Sequence, residues 1–168
     1  DCFTGPGKAL IFNGDNSVSS SLPSSLGTTF TQEAWIYPTN NDTNQTLGIL
    51  SSTTSGDDKD KSPAIYQKGQ NIKYGFGDGT QSYSMTTYTK PLTYNKWNHI
   101  AVTFTGTEYL LYVNGVLSGT IPEASGKTPF SRTEFHVGRE SAFFEGSIDE
   151  ARIWTVARTA EEIRANMM

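Results

Sequence analysis

The sequence has one cysteine in 168 residues, only two histidines, no basic run, no long apolar run and no repeat of fixed period. Each of these absences removes a class of protein. A lone Cys2 forbids an internal disulfide and leaves a free thiol or a link to another chain. With 13 basic against 17 acidic residues and a net charge of −4, the electrostatic footprint of a nucleic-acid binder is missing. No 18-residue apolar span and no apolar signal region is present, so no membrane insertion is expected, and the chain reads as a mature or excised soluble domain. His99 and His136 lie inside strand-like patterns rather than in a Ser/His/Asp or metal-binding cluster, which fits structural groups better than a catalytic base.

Short β-branched or aromatic runs separated by Gly, Asn, Asp and Pro fill most of the chain. KALIFN (8–13), FTQEAWIYP (30–38), AIYQKG (64–69), NIKYGFG (71–77) and KWNHIAVTFTG (96–106) are the clearest of the early ones. In the last, Ile100, Val102 and Phe104 share one face while His99, Ala101, Thr103 and Thr105 share the other. That alternation predicts a half-buried strand with one face toward solvent or small residues. Asn114-Gly115 supplies the two positive-φ positions of a tight turn, so YLLYV and VLSG form a hairpin. TEFHVG (133–138) and SIDEARIW (147–154) are further strands. Thr159 and Glu162 have capping-box spacing and open one short terminal helix. The patches SVSSSLPSSL (17–26) and STTSGDDKDKSP (51–62) read as surface loops. The whole implies a single all-β domain over 1–168, a two-sheet antiparallel jelly-roll sandwich with a short C-terminal helix.

Taken together, ALIFNGDNSV, FTQEAWIYPTN, KWNHIAVTFTGTEYLLYVNGVLSG, HVGRE and FEGSIDEARIWTVARTAEEI resemble the laminin-G-like jelly-roll domains of the concanavalin A-like lectin and glucanase superfamily, to which pentraxins are related. The resemblance implies two curved sheets with a concave face and rim loops that often bind glycans. It also implies, in many relatives, a calcium ion where an early loop meets the last long strand. Lectins, adhesion modules, enzyme-attached binding modules and a few enzymes share this fold, so fold alone does not decide activity.

The residues weigh against catalysis. A glycosidase needs two carboxyl groups flanking one bond, about 5 to 5.5 Å apart when retaining and roughly 6.5 to 9.5 Å when inverting. Asp149 and Glu150 are adjacent, and strand alternation would send them to opposite faces. Gly75-Phe76-Gly77-Asp78-Gly79 lacks the following helix of a phosphate loop and reads as a turn.

Asp149 is expected on a face with Ala151 and Ile153, with Arg152 opposite. A carboxylate on an apolar face calls for a cation, backbone donors or a lysine such as Lys8. A structural calcium held by Asn13, Gly14, Asp15 and Asp149 is the preferred reading. Asn13 stands where relatives often carry Asp. A second acidic group, Asp57, Asp58 and Asp60, is interleaved with Lys59 and Lys61 and reads as a solvated loop rather than a ligand-mediating calcium site.

For sugar binding, an aromatic plate and a few polar groups are required over a rigid sheet. Tyr74 and Tyr83 of the Tyr-rich middle region and Arg139, Glu140, Phe143 and Phe144 of GRESAFFEG are the candidates, with Phe76 and Tyr88 as neighbours. One of the two Phe residues is expected in the core. Trp35, Trp97 and Trp154 read as packing. Asn41 and Asn44 open overlapping glycosylation sequons in a polar loop.

A non-catalytic, extracellular carbohydrate-binding domain is therefore expected, with a glycan or polysaccharide as partner and homo-oligomerisation if this is the whole protein. A protein-binding adhesion or spacer domain is the alternative, and a hydrolase or lyase the third.

Overall fold

The computed structural model describes residues 8–52 and 57–167. Cys2 lies outside them. Among the described residues twelve strands, numbered in chain order, form two six-stranded antiparallel sheets. The first sheet runs β1 (Leu10–Asn13), β12 (Glu145–Trp154), β3 (Phe30–Pro38), β8 (Asn98–Phe104), β9 (Tyr109–Val113), β10 (Val116–Thr120). The second runs β2 (Val18–Ser21), β11 (Glu134–Val137), β4 (Leu47–Ser51), β5 (Ala64–Lys68), β6 (Asn71–Gly77), β7 (Ser82–Thr86). One helix, α1 (Ala160–Ala165), follows the last strand. The fold is thus mostly β, as the sequence predicts.

Alternation along each strand sends one set of side chains into the space between the sheets. From the first sheet come Phe30, Ile36, Ile100, Val102, Phe104 and Tyr109, and from the second Ile65, Ile72, Tyr74 and Phe76, all at most 1% exposed. Their rings interlock across the interface: Tyr109 meets Phe76 and Tyr74 with centroids 5.3 Å apart, and Phe76 meets Phe104 at the same separation. Rings of this kind each withdraw roughly 150–250 Å² from water, so this cluster dominates the stability of the sandwich.

Local signals act as the sequence predicts at two points. Asn114 (φ 51°) and Gly115 (φ 73°) make the turn between β9 and β10. The Thr159 hydroxyl accepts from the Glu162 N–H while the Glu162 carboxylate accepts from the Thr159 N–H, closing the capping box of α1.

Two expectations are corrected, the first being that 17–26 is all loop: Val18–Ser21 forms β2, held by its pairing with β11. Strand β8 is buried on both faces, because its outward side is not solvated. Ile163 of α1 packs on Ala101 and Tyr112, and the segment before the helix is tied down where the Thr31 hydroxyl donates to the Val156 carbonyl. Trp35, Trp97 and Trp154 pack, as expected, and do so on this outward face, Trp35 edge-on to His99 at 5.2 Å and Trp97 edge-on to Tyr37 at 5.6 Å. Trp154 donates its indole N–H to the buried carboxylate of Glu33 at 3.0 Å and carries the Arg158 guanidinium over its ring at 4.3 Å.

Beside Glu33, His99 is only 1% exposed. Burial, reinforced by the positive charge of Arg152, pushes its imidazole down to about 4. The unfolded chain, whose imidazole charges near 6.5, therefore binds the proton first as pH falls. The stabilisation is complete above pH 6.5 and drains away between 6.5 and 4. Thermal melts should show Tm falling as pH drops from 6.5 to 5, and His99→Gln should flatten that segment; an equal slope in both proteins would contradict a neutral buried His99.

Candidate functional site

The outward face of the second sheet holds a groove whose lining includes Tyr66 of β5, Lys73 and Gly75 of β6, and Ser82 and Ser84 of β7. Strand register explains the grouping. Tyr66 stands opposite Lys73, and Gly75 opposite Ser84, all on the side facing away from Tyr74 and Phe76. Gly75 leaves the floor as bare backbone. Lys73 reaches over the Tyr66 ring at 5.9 Å. Burial, with the Glu140 and Asp58 carboxylates nearby, pushes the Tyr66 phenol far up, so it remains a neutral hydroxyl.

Two loops flank this floor, and both are fixed by backbone contacts that only glycine permits. Residues 57–62 cross the end of β6, where Gly77 N–H donates to the Lys61 carbonyl at 2.8 Å and Gly79 N–H to the Lys59 carbonyl at 2.8 Å. A Cβ on Gly77 would lie 2.0 Å from the Lys59 oxygen. Residues 138–144 cross β4 at Gly48, whose N–H donates to the Ala142 carbonyl at 3.1 Å and whose added Cβ would lie 2.1 Å from the Arg139 carbonyl carbon.

Lys61 joins the loops. Its ammonium lies 2.7 Å from Asp58 Oδ1 and 2.6 Å from Glu140 Oε1. Glu140 is 5% exposed and also accepts from the Ser141 N–H. The hydrogen bond from Lys61 holds the Asp58 carboxyl below the usual range, against the opposing effect of partial burial. Burial pushes the Glu140 carboxyl up, but the hydrogen bonds from Lys61 and Ser141 outweigh it, and the net direction is down. Both groups are anions at neutral pH. A glycosidase needs one of its two carboxyls protonated as general acid, and neither of these meets that need.

The residues expected from sequence separate into three groups. Tyr74 and Phe144 are wholly buried, the first against Tyr109 and the second edge-on to Phe12 at 6.2 Å, so neither is a sugar plate. Tyr83 is 5% exposed, lies on Phe76 at 5.7 Å, and donates its hydroxyl to Asp78 at 2.8 Å. Glu140 is buried behind the groove, as the anchor of Lys61, which lines it. Arg139 and Phe143 stay half-buried at the surface of the 138–144 loop, with the guanidinium over the ring at 5.0 Å. Asn41 and Asn44 are both exposed in the loop between β3 and β4. Asp58 and Lys61, expected in a solvated loop, line the groove instead, and nothing in the sequence marks Tyr66, Lys73, Ser82 or Ser84 as site residues. The Tyr66–Lys73 pairing is a signal that strand alternation carries, whereas the Lys61–Glu140 pair spans 79 residues.

The calcium ligand set is corrected. Asn13 pairs with Glu145, while Asp149 lies four residues further along β12, opposite Trp35. At about 3.3 Å per residue the two ends are roughly 13 Å apart. Asn13, Gly14 and Asp15 therefore do not meet Asp149. A bulge between Asp149 and Arg152, with Glu150 at φ 51°, also breaks the alternation assumed from sequence. Asp149 and Arg152 share the outward face, and Arg152 pairs with Glu150 and reaches Glu33. Asp149 is half-buried and accepts from the Glu150 N–H at 2.8 Å, which answers the need for a partner. Around Asn13 the loop is closed by Asn16, and Glu145 is engaged by Asn40 at 2.7 Å. Among the described residues no group of three or more His, Cys, Asp or Glu converges. The four expected ligands do not fit a calcium ion.

Against known proteins, the family model for the concanavalin A-like lectin/glucanases superfamily (Laminin_G_3) matches residues 12–164, and the chain belongs to this family. No curated protein matches it in sequence. Solved structures match across nearly the whole chain. Domain 4 of AbnA, a GH43 extracellular arabinanase from Geobacillus stearothermophilus in complex with arabinotriose, is 23% identical with a TM-score of 0.74, over 97% of this chain and 78% of that one. The native heptameric SAP-like pentraxin of Limulus polyphemus is 16% identical with a TM-score of 0.65, over 97% and 79%. The IT-sialidase CBM40 of Ruminococcus gnavus, bound to α2,3 sialyllactose, is 14% identical with a TM-score of 0.64, over 91% and 98%. Identities this low speak for the fold alone. No described helix is long and apolar enough to cross a membrane.

Two outcomes follow. Gly77→Ala should cost about 1–3 kcal/mol by forcing the 57–62 loop off β6, read as a lowered Tm; an unchanged Tm would show the contact to be soft. Asp149→Ala should shift Tm by no more than about 2 °C, with or without calcium, as expected of a surface substitution. A calcium-dependent rise in Tm that this variant abolishes would restore the discarded site.

Proposed function

We propose that this chain is a non-catalytic carbohydrate-binding domain that acts outside the cell and receives its glycan in the groove over β5, β6 and β7. The observation that carries this reading is the combination at one rigid place of backbone floor, hydroxyls and fixed charges: Gly75, Ser82, Ser84, Tyr66, Lys73, Asp58 and Lys61. Glycan hydroxyls are bound by such preplaced polar groups. Two anions and two cations, Asp58, Glu140, Lys61 and Lys73, lie close together and balance. An uncharged glycan matches a groove without net charge better than a sialylated or uronic one. The arabinanase domain is described with a neutral oligosaccharide, arabinotriose, and the CBM40 with an acidic one, sialyllactose, so the choice of a neutral glycan rests on the charge balance of the groove.

The ionised state of both groove carboxylates supports binding without cleavage. A shallow single site binds weakly, so tethering or assembly into an oligomer would supply the avidity that retention needs. The exposed Asn41 and Asn44 are proposed as glycan acceptors in a secreting eukaryotic host.

A glycan array followed by affinity electrophoresis tests the proposal. Neutral oligosaccharides should be retained and acidic ones not. Lys73→Ala and Asp58→Asn should each weaken retention about tenfold, or 1.4 kcal/mol, without lowering Tm by more than about 2 °C. No retained neutral glycan, or release of reducing ends from any bound polysaccharide, would overturn it.

A further inference from the structure

The calcium expected from the fold resemblance fails at Asn13 to Asp15 and Asp149, but a cation does sit between two carboxylates elsewhere in the chain. Lys61 Nζ is 2.7 Å from Asp58 Oδ1 and 2.6 Å from Glu140 Oε1. These are charge-assisted hydrogen bonds, and they bring both carboxylate oxygens to a single centre, as one calcium ion with oxygens at about 2.3–2.6 Å would. The two oxygens come from different loops, 57–62 and 138–144, each pinned separately to a strand backbone. Glu140 is buried, so its charge has to be answered from within the protein. The side chain that answers it is 17% exposed and points inward from its own loop. Lys73, the other nearby cation, lies 3.8 Å from Asp58, so among the described residues the ion pair that joins the two loops is the one between Lys61 and Glu140.

We infer that Lys61 is a positioning residue that acts as the resident cation of this groove, joining its two loops in the manner of a bound divalent metal and making ligand binding there independent of such metals. The ligand does not need to bring or recruit a metal, because the carboxylates that would hold it already share an ammonium. Removal of that ammonium leaves two anions facing each other at a spacing that a divalent ion can bridge. The ligand part of the inference rests on the carbohydrate-binding reading, whereas the part concerning the loops does not.

The test uses the full chain, calcium chloride as the probe and thermal melting as the first readout. The parent and Lys61→Arg, which retains the positive charge, should show the same Tm in calcium and in EDTA. Lys61→Ala should melt lower in EDTA and recover at least half of the loss in millimolar calcium, with isothermal titration showing one calcium site that Glu140→Gln in the same background removes. Lys61→Gln replaces Lys61→Ala if the latter does not fold. The second readout is retention of the neutral glycan selected on the array. EDTA should leave the parent unaffected, Lys61→Ala should lose about tenfold, and calcium should restore it. A parent whose Tm rises in calcium and loses that rise in Asp58→Asn would overturn the inference, as would a Lys61→Ala protein with no calcium response. If no glycan is retained by any variant, the functional reading falls while the calcium measurements still decide the role of Lys61.

Discussion

Strand alternation commits every second residue to the space between the two sheets, and the large aromatic side chains of this chain are drawn into that space. Phe30, Phe104 and Tyr109 from one sheet meet Tyr74 and Phe76 from the other in a continuous ring cluster. The consequence reaches the opposite side of the same strands. With Tyr74 and Phe76 turned inward, β6 presents Lys73, Gly75 and Gly77 outward. The core thereby dictates a polar, glycine-floored surface on the second sheet, where two loops can lie close to backbone.

What those loops do with that surface depends on charge. Asp58 and Glu140 come from separate loops and would repel each other. The Lys61 ammonium turns the repulsion into a joint, and the same contact keeps both carboxyls ionised. A groove shaped by fixed, compensated charges can orient hydroxyl groups. It has no protonated acid to give to a leaving group. The proposed reading of binding without cleavage rests on the same three side chains that fix the geometry. Membership of a superfamily that contains both lectins and glucanases does not decide between these outcomes.

Local chemistry was legible in the sequence, and long-range chemistry was not. The Asn114-Gly115 turn and the Thr159 to Glu162 capping box are written in adjacent residues, and both form as read. Strand β2, Val18–Ser21, is four exposed residues with three serines, so it exists through its pairing with β11 rather than through any propensity of its own. Alternation puts Tyr74 and Phe76 on one face but does not say which face is the core, so an aromatic candidate such as Tyr74 reads equally as sugar plate or core residue until the sheets are placed. Asp149 was misplaced because the bulge at Glu150 has no signature in EGSIDEARIW. Glu140 was named as a binding residue, yet its partner Lys61 was read as a solvated charge, because nothing in 57–62 points to a residue 79 positions away.

The central claim is that Lys61 holds the Asp58 and Glu140 carboxylates as anions, the feature on which the proposed reading of binding without cleavage rests. Carboxyl-carbon NMR titration of the intact chain, with Asp58 and Glu140 assigned by substitution, measures this directly. The account predicts that both resonances titrate below the ordinary range of about 3.9 for Asp and 4.3 for Glu, and that both move upward in Lys61→Gln. A Glu140 or Asp58 resonance that titrates near neutrality in the parent protein would contradict it.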